Sequence, residues 1–210
     1  MRIATFLIVA HLLSGALFSQ RYLFYLHGRI VEDQGPNAVD TIRGFGAYEY
    51  ENILNSFRKE KLIVISEVRK KNTDVEEYAR KVSGQIDTLL KKGTVAGYIT
   101  VVGASKGAAI AMVVSTLLKN QDVNFVFIAG CNDDNFKRLP PIKFCGNILS
   151  VYERSDDIAG SCTPIKNRSS KLIPHYKEIE LNTGLKHGFL YQPLTEWVQP
   201  VIQWANGNYK

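Results

Sequence analysis

A short segment flanked by glycines carries the strongest chemical signal in the sequence. Residues 103–107 are Gly-Ala-Ser-Lys-Gly, which places Ser105 at the centre of a G-x-S-x-G pattern. An apolar run at 98–102 precedes the pattern, and a helical pattern at 106–118 follows it. In this context the pattern is typical of a strained turn that lifts a nucleophilic serine above a sheet. Ser105 is therefore predicted to be a nucleophile.

A phosphate-binding loop is the structural alternative for such a turn. The sequence has neither G-x-x-x-x-G-K-[ST] nor G-x-G-x-x-G, the spacings that such loops use. The alternative is therefore set aside.

A serine hydroxyl needs a base that removes its proton, and the base needs an acid that orients it. Of the four histidines, His11 lies in the apolar N-terminal segment, His27 ends the first predicted strand, and His175 lies in a loop that contains a proline. His187 lies in a Lys-His-Gly loop after the last predicted strand. We therefore predict His187 as the base.

The acid is expected between the nucleophile and the base, after the fifth predicted strand. Asp156 lies four residues past the last residue of that strand and is preferred over its neighbour Asp157. Glu153 is a third choice, and Asp133 and Asp134, after the fourth strand, would use a different acid position.

Hydrolysis through a serine also needs two N–H donors for the oxyanion. One is predicted to be the amide of Lys106, directly after the nucleophile. The other is predicted to be the amide of Arg29 in the loop after the first strand, with Gly28 as the alternative. The side chains of Arg29 and Lys106 either bring positive charge to the pocket, which favours an acidic substrate, or point to water.

Further polar residues follow the first two strands. His27 and Gly28 are candidate substrate contacts because of their position at a strand end. Glu67 and Arg69, after the second strand, are either substrate contacts or a buried ion pair that holds the loops together, and the ion pair is preferred.

The elements that position these residues alternate between strands and helices. The strand candidates are nearly continuous apolar runs, as burial on both faces requires; they span 22–26, 62–65, 98–102, 125–128, 148–152 and the more polar 178–181. Helices are predicted at 48–57, 75–90, 106–118 and 193–204. Asp74 is the candidate cap of the second helix, and Pro200 lies inside the last one. This order predicts an α/β fold with a mostly parallel sheet of about six strands, its last strand at an edge, and helices on both faces.

Composition restricts the class of protein. The chain has 210 residues, 45% hydrophobic and 22% charged, which suits one globular domain. The net charge of +6 comes from scattered small groups, and no basic stripe interleaved with aromatic residues indicates a nucleic-acid site.

The first nineteen residues resemble a secretory leader. Met1 and Arg2 precede an apolar run at 3–13, and small residues follow it. Cleavage is expected near Ala16 or Ser19, and an uncleaved signal anchor is the alternative. We therefore predict a leader at 1–19, a domain at 20–210, a secreted or periplasmic location and no stable membrane insertion once the leader is removed.

Three cysteines permit at most one internal bridge. Cys131 and Cys162 each follow a predicted strand, so they are either bridged or, together with Cys145, buried free thiols. No pair has C-x-x-C spacing, and neither a metal nor a cofactor is predicted.

These motifs together resemble the α/β-hydrolase family, above all its small single-domain members such as dienelactone-hydrolase-like enzymes and short carboxylesterases. The resemblance covers nearly the whole chain after the leader: the His-Gly strand end, G-A-S-K-G, the Ser-Asp-Asp loop and the Lys-His-Gly-Phe loop occur in family order. It implies that Ser105 is the nucleophile, His187 the base and Asp156 the orienting acid.

The sequence departs from the family in three respects. The opening antiparallel hairpin is missing, and the nucleophile is serine where dienelactone hydrolases proper use cysteine. Residues 159–174 are expected to form only a loop, so no large lid is predicted. The expected activity is hydrolysis of small-molecule carboxylic esters; a serine peptidase, an acyl transferase and a non-catalytic exported binding domain are the alternatives, and the oligomeric state is open.

Overall fold

Apolar strands form the centre of the protein. The computed structural model describes residues 20–132 and 141–210. Its strands are β1 (Tyr22–Leu26), β2 (Val39–Asp40), β3 (Gly46–Ala47), β4 (Ile63–Ile65), β5 (Ile99–Ala104), β6 (Asn124–Ile128), β7 (Asn147–Glu153) and β8 (Tyr176–Leu181). Six of them form one sheet in the order β4-β1-β5-β6-β7-β8, in which all neighbours are parallel.

Helices cover both faces of this sheet. They are α1 (Arg29–Gln34), α2 (Tyr50–Arg58), α3 (Val75–Lys91), α4 (Lys106–Leu118), α5 (Thr163–Ser169) and α6 (Thr195–Ala205). Successive side chains of β1 alternate between two core clusters, because neighbouring residues of a strand point to opposite faces. Apolar residues of α1, α2 and α6 join one cluster, and those of α3, α4 and α5 join the other. The predicted parallel sheet of about six strands with helices on both faces is confirmed.

Strand register gathers the strand ends that matter at one edge. Leu26 at the end of β1 pairs with Gly103 in β5, and Ala104 at the end of β5 pairs with Ile128 at the end of β6. Ile128 pairs in turn with Val151 in β7. The segments that follow these strands therefore emerge side by side, as the sequence analysis required.

Most predicted elements lie within two residues of the observed bounds. Asp74 caps α3, since its carboxylate accepts a hydrogen bond from the N–H of Glu77 at 2.9 Å. The polar strand β8 lies at an edge of the sheet, as predicted. Pro200 lies inside α6.

The segment 159–174 corrects one prediction. It was expected to be a loop, but it contains α5 and a 3-10 turn at Ser170–Leu172. The proline at its first turn favours a helix start, and Ile165 and Ser169, one turn apart, are both buried. Glu178 of β8 accepts hydrogen bonds from the N–H of Cys162 at 2.8 Å and the hydroxyl of Thr163 at 2.9 Å, which holds the start of α5.

The segment after β1 also differs from the prediction. A loop was expected there, but α1 begins at Arg29, and an antiparallel pair of β2 and β3 follows it. Asp40 fixes the turn between these two strands, because its Oδ1 accepts the N–H groups of Ile42 at 2.9 Å and Arg43 at 2.8 Å.

A disulfide joins Cys131 to Cys162, the bridged one of the two alternatives. It connects the segment after β6 to the start of α5, and the N–H of Gly160 adds a hydrogen bond to the carbonyl of Cys131 at 2.8 Å. Cys145 is buried and free.

The predicted leader at 1–19 lies outside the described residues. No helix among residues 20–132 and 141–210 combines the length and apolar character that crossing a bilayer requires.

Removing the disulfide is expected to destabilise the fold. The bridged cysteines are 31 residues apart, and for a loop of that size the double change Cys131→Ala and Cys162→Ala should lower the free energy of unfolding by about 3–4 kcal/mol. Urea denaturation of the oxidised proteins measures it. Cys145→Ala is the control, with a loss of about 1 kcal/mol expected from its packing alone. Equal losses in the two proteins would contradict the assignment.

Candidate active site

The turn between β5 and α4 holds Ser105 in a strained conformation. Its φ and ψ angles are 52° and −117°, in a region that residues with a side chain rarely adopt. The N–H of Ser105 donates to the carbonyl of Ile128 at 2.9 Å, and its own carbonyl accepts from the N–H of Ala108 at 2.8 Å. Hydrogen bonds on both sides therefore hold the serine in this conformation.

The two glycines of the turn are required by packing. A Cβ atom at Gly103 would lie 2.2 Å from the carbonyl oxygen of Gly107. One at Gly107 would lie 1.8 Å from the carbonyl oxygen of Leu26. Both distances are far inside van der Waals contact, so no side chain fits at either position.

Ser105, His187 and Asp156 form a continuous chain of hydrogen bonds. The Nε2 atom of His187 lies 2.9 Å from the Ser105 hydroxyl, and its Nδ1 atom lies 2.7 Å from Oδ2 of Asp156. An ionised carboxylate only accepts, so Nδ1 carries the proton and Nε2 is free to accept the serine proton. The arrangement is the one that a serine nucleophile needs.

Burial separates the two candidate acids. The Asp156 side chain is fully buried, and its second oxygen accepts the N–H of Ile158 at 2.9 Å. Asp157 is exposed. The structure thus brings Asp156 to His187, while Asp133 and Asp134 lie outside the described residues.

Glu153, the third choice for the acid, braces the loop that leads to the base. Its carboxylate accepts the N–H and hydroxyl of Thr183 at 2.8 and 2.9 Å and the hydroxyl of Ser155 at 2.9 Å. Burial raises the pKa of Glu153, but these hydrogen bonds outweigh burial and lower the pKa to about 2. It therefore links the end of β7 to the segment that carries His187, a role that sequence reasoning missed.

Two helix starts lie beside Ser105. Arg29 and Lys106 are the first residues of α1 and α4, where N–H groups have no acceptor within their own helix. Gly28 caps α1, and a Cβ atom built on it would lie 3.6 Å from the Cβ of Ser105. The structure thus brings the Gly28 turn and the start of α4 to the serine.

The other residues that were predicted to contact the substrate are either buried in the interior or paired on the surface. His27 is fully buried, and the side chain of Arg69 is too. Arg69 forms a buried ion pair, as preferred, but its partner is Glu32 at 3.1 Å and not Glu67. Glu67 forms an exposed ion pair with Lys81 of α3 at 2.5 Å. The candidate substrate contacts His27 and Arg69 are thus corrected to interior residues.

The side chains of Arg29 and Lys106, the two candidate oxyanion donors, differ in their surroundings. The ammonium group of Lys106 is bonded to Glu32 at 2.5 Å and to the carbonyl of Thr73 at 2.7 Å, and so does not point to water. The side chain of Arg29 is exposed.

Phe45 contacts the loop that carries His187, and sequence reasoning missed this contact. Phe45 packs over Gly188, since a Cβ atom there would lie 2.8 Å from the Phe45 ring. The same ring makes an edge contact with Tyr191 at a centroid distance of 5.5 Å. No motif marks Phe45, because only the fold brings residues this far apart into contact.

The described residues offer no evident metal site. Within 20–132 and 141–210, no group of three or more His, Cys, Asp or Glu side chains is arranged to hold an ion.

Known structures share this architecture. No protein-family model and no curated protein matches the sequence. SOBER1 from Arabidopsis thaliana is 15% identical with a TM-score of 0.59, over 91% of this chain and 100% of SOBER1. The esterase Pf2001 from Pyrococcus furiosus is 14% identical with a TM-score of 0.60, over 92% and 83%. A proposed hydrolase of the alpha/beta superfamily from Xanthomonas campestris pv. campestris is 14% identical with a TM-score of 0.58, over 89% and 97%.

The chain has the α/β-hydrolase fold. The resemblance inferred from the motifs is confirmed at the level of the fold. In an α/β-hydrolase fold, ligands bind outside the carboxyl ends of the strands, and Ser105, Asp156 and His187 follow β5, β7 and β8 at that edge.

His27 should make the stability of the protein depend on pH. Burial, together with the positive charge of Arg69, lowers the pKa of His27 from 6.5 to about 4. As pH falls, the unfolded chain binds this proton first, so stability present above pH 6.5 is lost as pH falls toward 4. The loss should be about 2 kcal/mol between pH 7 and 4.5, measured by urea denaturation.

The control for this effect is His27→Asn, which cannot titrate. Its loss of stability across the same interval should be smaller by that amount. The lowered pKa values of Glu32 and Glu153 act mainly below their ordinary value of 4.5, outside this interval. Parallel pH profiles for the two proteins would contradict the prediction.

Proposed function

We propose that this protein is a serine hydrolase that cleaves carboxylic esters through an acyl-enzyme intermediate. The observation that carries the proposal is the hydrogen-bond chain from the Ser105 hydroxyl through His187 to Asp156, on a strained turn between a strand and a helix. The two ring nitrogens of His187 face the serine hydroxyl and the carboxylate, which is the arrangement that this reaction uses and supports the proposal.

Acylation begins when the oxygen of Ser105 attacks the ester carbonyl carbon. The Nε2 atom of His187 takes the hydroxyl proton, and the carbonyl oxygen becomes negative. Asp156 stabilises the resulting imidazolium through the Nδ1 hydrogen bond. When the bond to the alcohol breaks, Nε2–H returns the proton to the leaving oxygen, which leaves an ester on Ser105.

The negative oxygen of the intermediate needs donors that are already in place. The amides of Arg29 and Lys106 are the candidates, since both are first-turn N–H groups beside Ser105. Such donors stabilise the tetrahedral state more than the planar ester, and this difference accelerates the reaction.

Deacylation repeats these steps with water. His187 removes a proton from a water molecule as it attacks the acyl carbon, and then returns the proton to Ser105. The acid product leaves, and the serine is restored.

Two further observations support an esterase that acts on small esters. One structural neighbour, Pf2001, is itself named an esterase. Between β7 and β8 the chain forms only α5 and a 3-10 turn, so the described residues there include no inserted subdomain that would act as a lid.

Matched substitutions test the catalytic roles. Ser105→Ala, His187→Ala and Asp156→Asn should each lower kcat for p-nitrophenyl acetate by about 10³- to 10⁴-fold, because each interrupts the proton transfer. Asp157→Asn, which changes the exposed neighbour of the acid, should keep wild-type kcat. Labelling with a fluorophosphonate probe should require Ser105 and His187.

The outcomes separate the alternatives. A wild-type protein that neither labels nor hydrolyses any ester contradicts the proposal and favours a binding domain. Labelling with turnover of aminoacyl amides but not of esters favours a peptidase. Loss of activity in Asp157→Asn but not in Asp156→Asn would show that Asp157, and not Asp156, is the acid.

We also propose that the chain is exported. The disulfide between Cys131 and Cys162 supports this, because such bonds persist in oxidising compartments. In a Gram-negative host, N-terminal sequencing should find a mature periplasmic chain that begins at Leu17 or Gln20. Leu7→Arg, which places a charge in the apolar run, should keep the full-length precursor inside the cell. If the wild-type chain is recovered inside the cell with Met1 intact, the proposal is contradicted.

A further inference from the structure

The buried carboxylate of Glu32 connects the two segments that carry the candidate oxyanion donors. Glu32 belongs to α1, and its side chain is 1% exposed. Its Oε2 accepts from Nε of Arg69 at 3.1 Å, and its Oε1 accepts from the ammonium of Lys106 at 2.5 Å. The N–H of Thr73 also donates to Oε1 at 3.1 Å. Both oxygens are thus engaged.

Arg69 extends this contact to the end of β1. Its Nη2 donates to the carbonyl of His27 at 2.5 Å, and its backbone N–H donates to Nε2 of the same histidine at 3.0 Å. Its guanidinium also lies 5.5 Å from the centre of the Tyr78 ring. Arg69 therefore holds both the backbone and the ring of His27.

These contacts determine which ring nitrogen of His27 carries the proton. Nε2 accepts from Arg69, so in the neutral ring the proton is on Nδ1. Nδ1–H then donates to the carbonyl of Gly28 at 2.8 Å. The direction of that carbonyl is thereby fixed.

Fixing the Gly28 carbonyl also fixes the next amide. The described chain has no cis peptide bond, and in a trans peptide the C=O and the following N–H point in opposite directions. The N–H of Arg29 therefore points away from the His27 ring. This N–H is the first candidate donor of the oxyanion hole.

The second candidate donor is tied to the same carboxylate. Lys106 supplies it through its backbone N–H, while its ammonium group is bonded to Glu32. The two donor residues are 77 positions apart in sequence, yet one carboxylate restrains both.

We propose that Glu32 is a positioning residue for the oxyanion hole, which aligns the amides of Arg29 and Lys106 through Arg69, His27 and the Lys106 side chain. The inference rests on the proposed ester hydrolysis. Glu32 does not touch the substrate; it acts through the two donors.

Glu32→Gln tests the proposal. The amide keeps the shape of the side chain but removes the buried anion that pairs with Arg69 and Lys106. Because an unpaired buried charge is strongly unfavourable, we expect these two side chains to move. We expect kcat for p-nitrophenyl acetate to fall about 10- to 100-fold, with KM changed less than about 3-fold.

Butylboronic acid supplies a second measurement. The Ser105 oxygen adds to boron to form a tetrahedral anion, His187 takes the hydroxyl proton, and one boronate oxygen occupies the oxyanion position. Its affinity for Glu32→Gln should fall by the same factor as kcat. If the role of Glu32 were merely structural, the folded variant would keep both the wild-type kcat and the wild-type affinity for the boronic acid.

Tyr209→Phe is the matched control. The Tyr209 hydroxyl donates to Asn124 at 2.7 Å and accepts from Asn147 at 3.0 Å, at the amino ends of β6 and β7. Its removal should lower Tm through lost buried hydrogen bonds but leave kcat and boronate affinity unchanged.

Two changes at His27 test the orientation itself, even if Glu32→Gln fails to fold. The amide of Asn reaches the position of Nδ1 and donates to the Gly28 carbonyl, whereas the longer Gln reaches the position of Nε2 and accepts from Arg69. We therefore expect His27→Asn to keep a higher kcat than His27→Gln.

The results are distinguishable from failure of the proposed function. If the wild type neither labels with fluorophosphonate nor cleaves esters, the proposed function fails. If the wild type is active, wild-type kcat and boronate affinity in folded Glu32→Gln would overturn the positioning role. A higher kcat in His27→Gln than in His27→Asn would overturn it as well.

Discussion

The close approach of α4 to the end of β1 is the constraint on which the site depends. Gly107 lies so near the Leu26 carbonyl that a Cβ atom would be 1.8 Å away, so the two backbones are in direct contact. That contact sets the position of the first turn of α4 relative to the turn at Gly28. Ser105 therefore has little freedom to move relative to the Gly28 turn, and its strained φ of 52° is the conformation that satisfies both neighbours.

The candidate acid and base are held by a different kind of contact. Side chains hold the segments that follow β7 and β8: Glu153 binds the segment before His187, and Asp156 binds the imidazole. The disulfide to Cys162 adds a covalent restraint just beyond the acid. The site thus combines a candidate nucleophile fixed by glycine packing with a candidate base fixed by carboxylates.

The difference explains what could be predicted from the sequence. Ser105 and its glycines are local in the chain, and the strand order follows from apolar runs that must be buried on both faces. The candidate acid and base follow from their places after predicted strands. The ion pair of Arg69 with Glu32 and the packing of Phe45 on Gly188 depend on contacts between distant segments. The helix α5 has few apolar residues, so its only local signal is the proline in its first turn. Glu178 of a later strand holds its start, and that contact cannot be read from the local sequence.

The charges behind the candidate oxyanion donors have an energetic consequence. Arg69 and Lys106 share the one carboxylate of Glu32, and His27, with a pKa of about 4, is neutral at pH 7. These four residues therefore carry one net positive charge in a region of low dielectric. Such a charge attracts a developing oxyanion far more than the neutral carbonyl of an ester. The cluster would therefore stabilise the transition state more than the bound substrate, in addition to aligning the two N–H groups.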